Sequence, residues 1–131
     1  MSNKGLYGSP TGRKDDIGVS KSKSVSILGG VVTLDCNIGS MFNISLNANI
    51  SSFSILHIPP RGIYHSFAIE LTADGNARTA TWEFNGVNVK WMTQTNIAPT
   101  LTSTNGKKDV FVFTTYDNGI TWLGYKAGQN G

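Results

Sequence analysis

The sequence predicts an all-β chain folded as an antiparallel β-sandwich with an extended N-terminal arm. Three observations carry this. Apolar residues recur at every second position, the period at which strand side chains alternate between two faces. Turn-forming Gly, Asn and Asp punctuate these runs at short intervals. No stretch shows the spacing of an amphipathic helix. About nine short strands are expected, enough for two facing sheets, and jelly-roll connectivity is the expected arrangement.

The runs follow in order. Val25 and Ile27 alternate with Ser24 and Ser26, and Gly29-Gly30 makes a turn. Val32, Leu34 and Cys36 share one face of the next run, with Val31, Thr33 and Asp35 on the other. Phe42, Ile44 and Leu46 alternate with Asn43, Ser45 and Asn47, and Phe53, Ile55 and His57 repeat the period. Pro59-Pro60-Arg61-Gly62 interrupts the chain before Phe67, Ile69 and Leu71 resume it. Asp74-Gly75-Asn76 signals a turn, and Asn85-Gly86 signals a hairpin between Thr79–Phe84 and Val87–Trp91. Phe111 and Phe113 share a face of the run beginning at Asp109. Trp122 is expected opposite them across Asn118-Gly119, and both Phe111 and Trp122 are expected in the core.

Composition supports the same class. Charged residues make up 15% of the chain, against about 25% in ordinary soluble domains. Ser, Thr, Asn and Gly fill the difference, as turn-rich β folds require. The apolar runs are too short to span a membrane. Met1-Ser2-Asn3-Lys4-Gly5 leads into no apolar segment, so no signal peptide is expected. The sequons at Asn43 and Asn49 are then read as chance in an Asn/Ser-rich chain. The single cysteine, Cys36, excludes an internal disulfide and reads as a buried thiol.

Charge divides the chain in two. Residues 1–23 hold five basic and two acidic residues, whereas 24–131 hold six of each. The net charge of +3 therefore lies entirely in the first segment. That segment is too poor in large apolar residues to fold alone. It is expected to be a partner-binding arm over residues 1–23, followed by the sandwich over 24–131. Its apolar anchors would be Leu6, Tyr7, Ile17 and Val19, and its cations Lys4, Arg13, Lys14, Lys21 and Lys23. Asp15-Asp16 interrupts the positive run, and the rest of the chain is neutral. An acidic protein surface is therefore the expected partner in preference to nucleic acid.

No residue pattern points to catalysis. The carboxylates outside the arm are Asp35, Glu70, Asp74, Glu83, Asp109 and Asp117; none pairs recognisably with another as an acid/base couple. His57 and His65 flank the proline turn and could face each other, but two histidines fall short of a metal set. Phosphate-loop, nucleophile-elbow and metalloprotease motifs are missing. No catalytic residue, metal site or cofactor is expected. Trp82, Trp91 and Trp122 would suit either a core or a sugar-stacking platform, and the core is the expected place.

Several pieces of the chain resemble a β-sandwich domain of tailed-phage virion proteins, found in tail fibres and small head-decorating proteins. They include Val32-Thr33-Leu34-Asp35, Phe42-Asn43-Ile44-Ser45-Leu46, Pro59-Pro60 and Leu71-Thr72-Ala73-Asp74-Gly75. Thr81-Trp82, Val89-Lys90-Trp91, Ala98-Pro99-Thr100-Leu101, Asp109-Val110-Phe111 and Gly119–Gly124 continue them, so the likeness spans roughly 30–130. Met92–Ile97 replaces the Gly-rich turn that often follows the Val-Lys-Trp element. The resemblance implies a non-enzymatic virion structural protein, often trimeric. A capsid decoration, or cement, protein bound to the major capsid protein on the capsid exterior, and made in the host cytoplasm, is the first expectation. A small tail-fibre or receptor-binding module is the alternative.

Overall fold

The computed structural model describes residues 21–131. Ten strands form among these residues: β1 (Ser22–Val25), β2 (Val31–Asp35), β3 (Met41–Leu46), β4 (Ser52–Leu56), β5 (His65–Ala73), β6 (Glu83–Phe84), β7 (Val87–Asn88), β8 (Lys90–Trp91), β9 (Lys108–Thr115) and β10 (Leu123–Gly128). They make two packed sheets, as the alternating pattern requires. The larger has the order β1-β3-β5-β9-β10-β8 and the smaller β2-β4-β6-β7.

Strand direction departs from the antiparallel, jelly-roll expectation. β1, β3 and β5 run parallel to one another, as do β2, β4 and β6. The chain alternates between sheets from β1 to β6, so each parallel neighbour is reached by way of the opposite sheet. Parallel strands need a crossover, and here the facing sheet supplies it. This half is a flattened coil of successive turns. Antiparallel pairing takes over later, where β9 lies between β5 and β10. A period of two is common to parallel and antiparallel strands, so alternation carries no direction. Gly29-Gly30 illustrates the ambiguity. Both residues have positive φ, 58° and 80°, and make a tight turn, but that turn sends the chain to the other sheet.

Asn85-Gly86 does close a hairpin, between β6 and β7. Asn85 and Gly86 have φ of 52° and 82°, the pair of left-handed residues that matches strand twist. The Asn85 amide also accepts from Ile55 N at 2.8 Å and donates to Ile55 O at 3.0 Å. It thus extends the short β4–β6 pairing with a side chain in place of a strand. The expected strands at 79–84 and 87–91 shrink accordingly. Only Glu83–Phe84 is strand in the first, and the second divides at Val89 where the chain passes from one sheet to the other.

The core lies between the sheets. Phe42, Ile44 and Leu46 of β3 point inward with Phe67, Ile69 and Leu71 of β5 and Phe111 and Phe113 of β9. Val32, Leu34, Phe53, Ile55 and Phe84 meet them from the smaller sheet. Trp122 is fully buried between Phe67 and Phe84, with ring centroids 5.5 and 5.2 Å away. The expected burial of Phe111 and Trp122 therefore holds. One register row reads Lys23, Phe42, Ile69, Phe111, Lys126 across neighbouring strands, with the three apolar residues buried and both lysines exposed. A lysine ends the apolar row on each side. Lysine at a sheet margin discourages pairing with another strand.

Candidate functional site

The predicted arm meets the fold at β1. Lys4, Leu6, Tyr7, Arg13, Lys14, Ile17 and Val19 lie outside the described residues. Lys21 and Lys23 lie within them, and both are exposed. The Lys21 backbone is fixed: its carbonyl accepts from Ser40 N and Met41 N at 2.9 and 3.0 Å. Lys23 stands in β1 beside Phe42. Ordered strand begins at Ser22, so the last residues assigned to the arm belong to the sheet. β1 forms one margin of the larger sheet, and its Ser22, Lys23 and Ser24 are exposed.

The carboxylates serve the scaffold separately. Asp109 is buried at an inward position of β9, where aromatic residues otherwise stand. It accepts hydrogen bonds from Thr102 N, Thr102 Oγ1 and Asn130 N at 2.7, 2.6 and 3.1 Å. One carboxylate thereby ties the loop before β9 to the C-terminal segment. Asp117 is buried in the β9–β10 loop and accepts from Thr115 Oγ1 at 3.0 Å and Thr121 N at 2.8 Å. Burial raises its pKa, but these donors outweigh burial and hold it below the ordinary carboxylate value. Asp74 pairs with Arg78 at 2.7 Å, and that bond lowers its pKa to about 2. Glu70 sits 3.5 Å from Lys108.

The histidines also have separate surroundings. His57 Nδ1 lies 2.8 Å from Asp35 Oδ1, and that contact lowers the Asp35 pKa. His65 packs on Phe67, and its Nε2 is buried without a hydrogen-bond partner. Burial lowers its pKa. Cys36 lies just beyond β2 and is half-buried rather than enclosed in a strand. Burial and the Asp35 charge push its thiol up to about 11, which disfavours the nucleophilic thiolate. No group of three His, Cys, Asp or Glu among the described residues could hold a metal ion.

All three tryptophans are in the core, so none offers a sugar-stacking platform. Exposed apolar side chains instead concentrate in two places. Leu56, Ile63, Tyr64, Tyr116 and Ile120 are 41–67% exposed around the β4–β5 and β9–β10 loops. Those loops are joined by a bond from Gly62 N to Tyr116 O at 2.9 Å and by Asn118 Nδ2 donating to Ile58 O and Pro59 O. The second place is a groove of about 580 Å³ between the Met92–Thr100 loop and the Tyr125–Gln129 segment. Sequence reading missed the groove because it forms where β8 stops short beside β10, and strand length is invisible in alternation. The inward acid at Asp109 was legible in principle: it shares the parity of Phe111 and Phe113.

No family model, curated protein or solved structure matches the chain.

Proposed function

We propose that this is a non-enzymatic virion structural protein, a capsid decoration protein that docks on major capsid protein subunits. One observation carries the reading: the chain's entire charge excess belongs to residues 1–23 and enters the fold at an exposed margin strand. A basic segment continuous with the sandwich attracts an acidic protein surface over a distance. The sandwich would then cover the joint between subunits. The motif resemblance to phage virion domains supplies the particle context. The sandwich itself supports a scaffold role, since its buried acids hold loops together rather than converge in a cleft.

The proposal includes a trimer. The apolar loop end around Tyr64, Tyr116 and Ile120 is the surface offered for contact between copies, because exposed apolar patches mark interaction sites. Light scattering tests this assembly; a monomer that also sits alone on the particle would refute it. A receptor-binding module on a tail fibre is the second reading, and the Met92–Thr100 groove favours it. Counting and locating the chain in purified virions separates the two. Many copies over the head support decoration, whereas a few copies at the tail would reject it.

A further inference from the structure

β10 pairs with β8 only at Leu123 and Gly124. Beyond Trp91 the chain leaves as the Met92–Thr100 loop, so among the described residues the following part of β10 has no strand on that side. The gap is the groove of about 580 Å³, within the range of roughly 300–1,000 Å³ typical of small-ligand sites. Its walls are fixed in advance. Thr93 Oγ1 donates to Ile97 O at 2.9 Å, Asn96 N to Thr93 O at 3.0 Å, and Asn96 has a φ of 60°. Gln129 Nε2 donates to Thr100 O at 2.7 Å and ties the far wall to the tail.

The lining mixes two chemistries. The Tyr125 ring, Met92 and Ile97 are exposed there, offering an aromatic face and apolar flanks. Beside them, the Gln94 amide, the Thr95 and Thr100 hydroxyls and the Lys126 amine have no hydrogen-bond partner among the described residues. Among the described residues, Lys126 is the only charged residue of the lining, and no carboxylate joins it.

We propose that this groove binds a saccharide, with one sugar ring laid against Tyr125 and its hydroxyls met by Gln94, Thr95 and Thr100. A sugar ring presents apolar C–H groups on its faces and hydroxyls around its rim, which matches an aromatic surface edged by neutral donors and acceptors. An added peptide strand fits less well. Lys126 stands exposed at this margin and the register shifts between Lys126 and Gly128, two features that blunt a strand edge. Lys126 favours neutral or acidic sugars over cationic amino sugars. The inference rests on the groove alone and holds for a protein on a head or on a fibre.

The test is an array of neutral, uronic-acid-containing and deacetylated amino-sugar oligosaccharides probed with the full-length protein, followed by calorimetry on the best binder. A neutral or acidic saccharide is expected to bind. Tyr125→Ala should weaken it at least about tenfold, equivalent to about 1.4 kcal/mol, and Leu28→Ala, at an exposed residue outside the lining, should leave it unchanged. Should Tyr125→Ala disturb folding, Gln94→Ala in the exposed loop provides the second reading, with an expected loss of several-fold. Absence of binding to every saccharide, preference for the amino sugars, or affinity unchanged in the groove variants would overturn the proposal. Binding of a peptide library in this groove, with no saccharide competing for it, would overturn it as well.

Discussion

Gly124→Ala tests the packing with a single methyl group. Gly124 sits in β10 between the buried faces of β8 and β9 and does not have a positive φ, so alanine is allowed by the backbone. Space is the obstacle. An added Cβ would lie 2.8 Å from Val89 Cγ1, 3.1 Å from Trp91 Cε3 and 3.2 Å from Phe113 Cε1. Trp91 cannot move freely: its ring already packs edge-on against Trp82, Phe111 and Phe113 at 5.3–5.5 Å. Overpacking of this kind costs about 1–3 kcal/mol. Replacing glycine recovers about 0.4–1 kcal/mol through the unfolded chain, leaving a net loss of about 1–2 kcal/mol. For a domain of this size, each kcal/mol shifts the melting temperature by roughly 3–6 °C, between the values for smaller and larger domains. A fall of about 3–12 °C is expected, measured by near-ultraviolet circular dichroism. Gly128→Ala is the control, because a Cβ there meets no atom within 4 Å; its melting temperature should hold or rise slightly. Equal melting temperatures for the two variants would refute the packing argument.

Two further outcomes follow from the core and the titrating groups. Trp122→Ala should cost about 3–5 kcal/mol and sharply reduce folded yield; Trp122→Phe should cost less, because it keeps a ring and removes an indole N–H that has no partner. Acid should destabilise the fold in two stages, read as melting temperature against pH. His65 has a folded pKa below its ordinary 6.5. The unfolded chain therefore takes up that proton first, and stability declines as pH falls below about 6.5. His65→Phe should remove that stage. Asp35, Asp74 and Asp117 are lowered from 3.8, Asp74 to about 2. Their contribution is complete above about pH 4 and is lost as pH falls through the folded values. Asp74→Asn should shrink the second stage, whereas an unchanged acid limb would contradict the role given to the Arg78 pair.

The burial of the sheets was largely legible in the sequence, because inward and outward positions differ in polarity. Phe42, Ile44 and Leu46 against Asn43 and Ser45 state a half-buried strand without reference to anything distant. Which strand lies beside which was not legible. Ser22 pairs with Met41, and Val31 with Ser52, by passing through the opposite sheet, and Gly29-Gly30 reads the same whether the chain turns back or crosses over. Asn85-Gly86 was readable as a hairpin because two consecutive left-handed residues demand that turn chemistry. The groove was not readable, since it depends on β8 ending at Trp91 while β10 continues. The aromatic platform considered for Trp82, Trp91 and Trp122 gave way to burial. Residue type alone does not tell a stacking surface from a core, and Tyr125 took the exposed place.

The central functional claim is that the N-terminal segment fastens this protein to a capsid. Its direct test is occupancy on heads lacking the protein, comparing the full-length chain with a truncated chain that starts at Lys21 and keeps every described strand. The truncated chain should remain folded yet bind far more weakly. Added salt should weaken the full-length protein only in part, because screening removes the charge attraction and leaves the apolar anchors. Equal occupancy by the two chains would contradict the claim and assign docking to the sandwich itself.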